Sequence, residues 1–319
     1  MSVASAGLGV HVVGLQKSFG SFRALSGLDL DVPVGTVAGL LGPNGAGKTT
    51  TIRILATLTT ADSGSAWVGG HNVADDPHSV RSVIALTGQY AAVDGDLTGR
   101  QNLVMIAHLC RFSRAYARTR ADELLARFGL GAASGRLVRT YSGGMRRRLD
   151  LAASLVSPPR VLFLDEPTTG LDPPSREELW GVVRDLKAEG TTVVLTTQYL
   201  EEADRLADDI TVIDHGKAVA RGTATELKAT VGGDIIELRS RQPSLLEPAA
   251  ALVARRAGAG DYAVNLLTEA GSATVAIPSG SLSTVDAVRI LDAAGLPMDE
   301  ISLRRASLDE VFTTLTRRK

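Results

Sequence analysis

Short apolar runs alternate with amphipathic stretches over the first two thirds of the chain. Thr36–Leu41, Ser82–Thr87, Val161–Leu164 and Thr191–Leu195 have the length and composition of buried strands. The strands of a parallel sheet covered by helices are apolar on both faces, and their carboxyl ends meet at one edge, where ligands bind. The pattern therefore predicts an α/β fold with its chemistry at that edge.

Two other segments break this alternation. His11–Phe19 and Leu28–Val32 have the pattern of an antiparallel pair around residues 20–27, and Leu97–Phe128 has mostly helical spacing. The first segment predicts a small antiparallel subdomain, and the second predicts a helical subdomain inserted into the α/β core. Asp209–Asp214 begins a strand and hairpin pattern that closes this first domain.

The last part of the chain has a different order of elements. The pair Gly232-Gly233 predicts a domain boundary. It separates a first domain, residues 8–231, from a second domain, residues 232–319. A β-α-β-β-α-β order follows, which predicts a small α+β ferredoxin-like domain. Its predicted elements are Ile235–Leu238, Ser244–Arg256, Ala263–Leu267, Ala273–Ile277, Val285–Ala294 and Glu300–Leu303. A final helix, Leu308–Arg318, has an apolar stripe and is interpreted as a docking or dimer-support helix.

Composition narrows the class of protein. A chain of 319 residues has room for one large and one smaller domain, and a net charge of −1 gives no general drive toward nucleic acid. The single cysteine, Cys110, excludes an intrachain disulfide framework, and its apolar neighbours predict a core position. Met1–Gly9 lacks the features of a signal peptide, and no run approaches 18 apolar residues. A transport function would therefore need a second chain to supply the pathway.

A phosphate-binding loop follows the first apolar strand. The loop fits the pattern G-x-x-x-x-G-K-[ST] and consists of Gly42, Pro43, Asn44, Gly45, Ala46, Gly47, Lys48, Thr49 and Thr50. Its glycines let backbone N–H groups surround phosphates, and the helix that follows adds its positive end. Lys48 can reach the β- and γ-phosphates of a nucleoside triphosphate, and the Thr49 hydroxyl can ligate Mg²⁺.

Two further motifs lie about a hundred residues later. Ser142, Gly143 and Gly144 begin a helical stretch, and Ser alone would be an ordinary helix cap there. The apolar strand from Val161 ends in Asp165-Glu166. Asp165 can hold the Mg²⁺ shell, and Glu166 can polarise the attacking water. The three arginines after Met145 either face solvent or attract phosphates toward the nucleotide-binding site.

In this order and at these separations, the motifs resemble those of an ATP-binding subunit of an ABC transporter over residues 8–230. The resemblance implies that Phe19 stacks on adenine and that Gln89 contacts Mg²⁺ and the attacking water and senses the membrane partner. It also implies that Ser142 and Gly144 contact the γ-phosphate of ATP bound to a second copy of the chain. Asp172 matches the acidic residue of the loop that touches the other subunit's site.

Three positions depart from the most frequent form of the family. Tyr141 replaces leucine, Met145 replaces glutamine, and Gln198 stands where histidine is usual. A glutamine can donate a hydrogen bond to a γ-phosphate but cannot shuttle a proton, which favours a positioning role, with a polar helix cap as the alternative. The runs around Ser142 and Gln198 are similar to those of daunorubicin-resistance-type subunits.

The resemblance implies an ATPase that powers efflux of a drug, antibiotic or other hydrophobic compound. It implies ATP and Mg²⁺ as cofactors, an ATP-dependent homodimer, a separately encoded permease, and a position at the cytoplasmic side of the cell membrane. Two alternatives stay open, a ribosome-associated soluble ATPase and a subunit of a solute importer. A DNA-repair-type ATPase is disfavoured because no sustained heptads separate Gln89 from Ser142.

Overall fold

The computed structural model describes residues 7–88, 93–230, 233–259, 264–267, 271–305 and 307–317. The strands are β1 (Leu8–Phe19), β2 (Phe22–Pro33), β3 (Val37–Leu41), β4 (Ser63–Val68), β5 (His71–Asn72), β6 (Ile84–Thr87), β7 (Val161–Asp165), β8 (Thr192–Thr197), β9 (Asp209–Asp214), β10 (Lys217–Gly222), β11 (Asp234–Arg239), β12 (Val264–Leu267), β13 (Ser272–Ile277) and β14 (Glu300–Arg305). The helices are α1 (Lys48–Leu55), α2 (Pro77–Val83), α3 (Gly99–Leu109), α4 (Arg114–Arg127), α5 (Gly143–Ser154), α6 (Pro173–Ala188), α7 (Leu200–Leu206), α8 (Ala224–Ala229), α9 (Leu246–Arg256), α10 (Thr284–Ala293) and α11 (Leu308–Arg317).

Contacts within the chain form two compact units, Met1–Arg221 and Gly222–Lys319. The predicted domain boundary between residues 231 and 232 lies outside the described residues, and α8 belongs to the second unit. Among the helices that the structure describes, none is both long and apolar enough to cross a membrane.

A six-stranded sheet in the order β10-β9-β3-β8-β7-β6 forms the centre of the first unit, and the five strands from β9 to β6 run parallel. Every residue of β3, β7 and β8 is buried, which explains their continuous apolar sequences. Leu41 pairs with Thr197, and Asp165 pairs with Thr196. The predicted sheet is confirmed, and the carboxyl ends of three neighbouring strands lie side by side.

The antiparallel subdomain is a four-stranded sheet in the order β2-β1-β4-β5. The predicted antiparallel pair is present, but β2 begins earlier than predicted, at Phe22, and a tight turn lets Phe19 pair with Phe22. Gly27 lies inside β2 with φ 94°, where the register with β1 shifts. Gly27 therefore forms a β-bulge rather than part of the turn.

The helical subdomain contains α3, α4 and α5, which share one core with the sheet. Thr98 caps α3 in a capping box with Gln101, and Ser113 caps α4. Cys110 is exposed at the end of α3, so the predicted core position was wrong. The inner face of α3 ends at the buried Ala107, and Leu109 beside the cysteine is 75% exposed although it is apolar.

The second unit has the predicted β-α-β-β-α-β order. Its sheet is antiparallel throughout in the order β12-β13-β11-β14, and α9 and α10 contribute to the same core. The final helix α11 contacts α8 and buries Leu308 and Val311. Contacts within the second unit thus bury part of the predicted apolar stripe of α11.

Candidate functional site

The predicted phosphate loop connects β3 to α1 at the edge of the central sheet. Gly47 has φ 109°, and a Cβ there would lie 2.6 Å from the carbonyl oxygen of Ala24. A Cβ on Gly42 would overlap the carbonyl oxygen of Ile213. Only glycine fits at these two positions, because the loop is packed between the start of β2 and the end of β9.

Lys48 is the cation of this loop, and it is only 4% exposed. Its Nζ donates to the carbonyl oxygens of Gly42 at 2.6 Å and Pro43 at 3.0 Å, so the side chain folds back over its own loop. Burial lowers the pKa of Lys48, while the carboxylates of Glu166 and Asp165 oppose that effect. The two acids at the end of β7 therefore favour the charged form of this buried amine.

Thr49, at the start of α1, and Asp165, at the end of β7, are in direct contact. The Thr49 hydroxyl donates to Asp165 Oδ1 at 3.1 Å, and the Thr196 hydroxyl donates to the same oxygen. Thr196 is fully buried at the end of β8 and also accepts the N–H of Glu166 at 3.1 Å. The sequence interpretation missed Thr196, although its position beside Asp165 follows from the register of adjacent parallel strands.

Glu166 has an unusual backbone conformation directly after β7. Its φ is 49°, which is left-handed and costs a non-glycine residue about 1–2 kcal/mol. Its N–H donates to the Thr196 carbonyl oxygen at 3.0 Å, and its carboxylate accepts from the Thr169 hydroxyl at 3.4 Å. Strained backbone of this kind persists only where its surroundings hold it, and it is frequent at functional sites.

Gln198 follows β8 directly and is exposed. Since Thr197 pairs with Leu41, Gln198 comes next to the start of the phosphate loop along the sheet edge. The N-cap of α7 is Tyr199, whose N–H donates to the Thr197 hydroxyl at 2.9 Å. The alternative interpretation of Gln198 as a helix cap was therefore wrong.

The predicted motif of Ser142, Gly143 and Gly144 lies at the start of α5, where Ser142 is the N-cap. The Ser142 hydroxyl accepts the N–H of Met145 at 3.2 Å, as an ordinary N-cap does. A Cβ on Gly144 would meet the Ser175 hydroxyl, which itself donates to Asp172 at 2.7 Å. That hydrogen bond lowers the pKa of Asp172. The structure thus brings the start of α5 and the loop of Asp172 together on an exposed surface.

Phe19 and Gln89 complete the set of predicted residues. Phe19 lies at the tip of the β1–β2 turn, is 52% exposed, and has Lys17 Nζ 5.5 Å from its ring centre. One face of the ring is thus covered by a cation. Gln89 lies outside the described residues, so its predicted contact with Mg²⁺ and water stays a prediction.

The three arginines after Met145 do not share one role. Arg146 is exposed, whereas the side chains of Arg147 and Arg148 are only 14% and 17% exposed. Arg147 donates to backbone carbonyl groups at the end of β7, and Arg148 pairs with Glu178 at 2.8 Å. Arg146 therefore faces solvent, one of the two predicted alternatives, whereas Arg147 and Arg148 are partly buried and bonded within the chain.

Glu202 is a buried carboxyl group beside the site. Trp180 Nε1 donates to it at 3.2 Å, and its side chain is 0% exposed. Burial raises the pKa of Glu202 above its ordinary value of 4.5, and hydrogen bonds from Thr197 and Trp180 offset part of that rise. The native state therefore binds more protons than the unfolded state. The stability that this group contributes is fully present below pH 4.5 and is lost as the pH rises through the folded pKa.

Glu202→Gln should remove this pH dependence, because an amide keeps the acceptor for Trp180 without a titrating proton. We expect the free energy of unfolding of the variant, relative to wild type, to rise as the pH increases from 4.5. Urea unfolding at several pH values measures it. A difference between the two proteins that stays flat with pH would contradict the expectation.

Comparisons with known proteins agree with this architecture. Residues 25–169 match the family model described as ABC transporter. A daunorubicin resistance ATP-binding protein, DrrA3, of Streptomyces coeruleorubidus is 52% identical over 307 residues, covering 96% of this chain and 95% of the relative. The Nod factor export ATP-binding protein I of Ralstonia nicotianae is 41% identical over 230 residues, covering 72% of each chain. A solved ATP-binding subunit of an ABC transporter superposes with a TM-score of 0.63 at 27% identity, covering 70% of this chain and 93% of that one.

The long match to the daunorubicin resistance protein includes both units, whereas the solved structure matches a share of the chain about as large as the first unit. In this structure the phosphate loop connects β3 to α1, Asp165 ends β7, Glu166 follows it, and α5 begins at Gly143. The chain therefore belongs to the ATP-binding subunits of ABC transporters, in the group of the daunorubicin resistance ATP-binding proteins, and carries the ATPase domain of that family.

Proposed function

We propose that this chain hydrolyses ATP to drive export of a drug, antibiotic or other hydrophobic compound through a separate membrane permease. The observation that carries the hydrolytic part is the meeting of Thr49, Asp165 and the left-handed Glu166 beside the phosphate loop. The names of the relatives, which refer to daunorubicin resistance and Nod factor export, support the direction of transport.

The residues at the end of β7 fit a magnesium ion bound together with ATP. Thr49 Oγ1 and Asp165 Oδ1 are 3.1 Å apart, close to the roughly 2.9 Å between adjacent ligands of an octahedral ion with bonds of about 2.05 Å. No group of three or more His, Cys, Asp or Glu side chains in the described part of the chain could hold a metal alone. Such a pairing suits Mg²⁺, which binds a few protein oxygens plus phosphates and would neutralise their charge.

The protein's own groups then act in a defined arrangement. Lys48 would exchange the carbonyl groups of Gly42 and Pro43 for the β- and γ-phosphates, which are stronger acceptors for a buried ammonium. Glu166, held by Thr196, would take the proton of the attacking water. Gln198 would donate to the γ-phosphate from the neighbouring strand end. Phe19 would stack on adenine with the ring face that Lys17 leaves free.

A complete site would need two copies of the chain. Ser142 and Asp172 are exposed, on a surface formed by the start of α5 and the start of α6. We propose that this surface of one copy closes over the ATP bound by its partner, so that ATP drives formation of a homodimer. The permease would hold this dimer at the cytoplasmic side of the membrane.

Transport in inside-out vesicles tests the whole proposal. The vesicles would contain the chain and the proposed permease, with daunorubicin as the fluorescent probe. We expect ATP-dependent accumulation of daunorubicin, and none with Glu166→Gln. ATP hydrolysis without accumulation of this probe or of related hydrophobic compounds would contradict drug export. ATP-dependent accumulation in right-side-out vesicles would instead indicate import.

Gln198→Ala should lower turnover about tenfold while leaving ATP affinity nearly unchanged, because one hydrogen bond to a charged acceptor is lost at the γ-phosphate alone. Gln198→His should keep activity and add a titration near pH 6.5, the ordinary pKa of imidazole. Steady-state pH–rate profiles of the three proteins measure both effects. Wild-type turnover in Gln198→Ala would show that this side chain has no part in hydrolysis.

A further inference from the structure

A single, largely buried arginine contacts the backbone at the ends of two neighbouring strands. Arg147 lies in α5 and uses all three of its guanidinium nitrogens. Nη1 donates to the carbonyl oxygen of Gly88, directly after β6, and Nε donates to that of Pro167 at 2.9 Å. Nη2 lies 3.3 Å from the carbonyl oxygens of both Asp165 and Glu166. One side chain thus connects α5 to the segments at the ends of β6 and β7.

The charge of this arginine is balanced nearby. The Asp150 carboxylate, only 3% exposed, lies 3.7 Å from Arg147 Nη1 and comes one helical turn later in α5. A guanidinium is planar and rigid, and it presents its donors at fixed angles. Because its acceptors belong to two separate segments, the group fixes the position of one segment relative to the other.

The contact with Glu166 has a specific consequence. That residue is left-handed, with its N–H bound by Thr196 on one side and its carbonyl oxygen bound by Arg147 on the other. We infer that Arg147 is a positioning residue for ATP hydrolysis, which holds the backbone of Glu166 so that the carboxylate stays aimed at the attacking water. This inference rests on the proposed function and adds a group that touches neither the nucleotide nor the water.

A purely structural role is the competing explanation, since any buried arginine contributes to packing. The next residue supplies a matched comparison. Arg148 is similarly buried, donates to the carbonyl oxygen of Phe128 at 3.2 Å and pairs with Glu178. Its contacts are with α6 and the end of α4. Loss of either arginine should therefore reduce stability, but only loss of Arg147 should disturb Glu166.

The test measures kcat and KM for ATP, and the melting temperature, for Arg147→Gln, Arg147→Lys and Arg148→Gln. Displacement of a catalytic group by about 1 Å costs about a hundredfold in rate. We expect kcat to fall about that much in Arg147→Gln, with KM within about threefold of wild type, because the phosphate loop is untouched. Arg147→Lys should also be slow, since one ammonium cannot reach carbonyl groups in both segments. Arg148→Gln should melt at a lower temperature with kcat near that of wild type.

A double-mutant cycle separates positioning from packing. If Arg147 acts through Glu166, Arg147→Gln should have almost no effect on the residual turnover of a Glu166→Gln protein. An undiminished loss in that background would overturn the inference, as would equal kcat values for Arg147→Gln and Arg148→Gln or wild-type turnover in Arg147→Lys. Failure of the wild-type chain to hydrolyse ATP would instead refute the proposed function.

Discussion

Glu166→Gln is expected to lower ATP turnover by roughly a hundred- to ten-thousandfold, the usual contribution of a general base. Glutamine keeps the size of the side chain and an acceptor for Thr169, so ATP affinity should change little. Steady-state ATPase assays with the permease present measure the loss. The exposed Glu201→Gln in α7 is the matched control and should hydrolyse ATP at the wild-type rate.

The same variant tests the proposed assembly. Because ATP stays intact, the Glu166→Gln protein should accumulate as an ATP-bound homodimer, which size-exclusion chromatography with and without ATP would detect. A variant that stays monomeric at saturating ATP, in the presence of its permease, would count against a site shared between two copies. Turnover near the wild-type rate would show that another group acts as the base.

Lys48→Ala is expected to weaken ATP binding about ten- to a hundredfold and to lower turnover as well. The variant loses a charge-assisted contact worth about 1.5–3 kcal/mol. It also loses the hydrogen bonds that order the carbonyl groups of Gly42 and Pro43. Isothermal titration calorimetry with ATP measures the affinity.

Arg53→Ala supplies the control for this change, since Arg53 is an exposed cation of the same helix, α1. Its loss should leave the dissociation constant for ATP within about twofold, because exposed charges are well screened. Unchanged affinity and turnover in Lys48→Ala would remove the basis for placing hydrolysis at this loop.

The sequence predicted those parts of the structure in which local pattern and tertiary environment agree. β3, β7 and β8 are buried on both faces, so their apolar runs were sufficient to identify them. The β-α-β-β-α-β order of the second unit was also readable, because its strands and helices are short and are separated by glycines or turns. The relative placement of Thr49 and Asp165 followed from the rule that ligand sites lie at the carboxyl ends of parallel strands.

Other features depended on side-chain direction, which local pattern does not specify. Three consecutive arginines look alike in the sequence, yet their successive positions around α5 expose Arg146 and bury Arg147 and Arg148. Gly27 has the appearance of a turn residue, but the pairing of β1 with β2 makes it a bulge. Cys110 is a third example, because its apolar neighbours did not reveal that its side chain is exposed at the end of α3.

The strand order of the central sheet has a consequence for how the protein is made. β3 carries the phosphate loop, but it pairs with β8 and β9, which begin at Thr192 and Asp209. A nascent chain that stops before Thr192 leaves β3 with neither neighbour, whereas the β1–β2 hairpin can already form from adjacent residues. Contacts so distant in sequence form late, because the ends of a long loop must first come together. We therefore expect newly synthesised chains to acquire affinity for ATP only after β8 and β9 have left the ribosome.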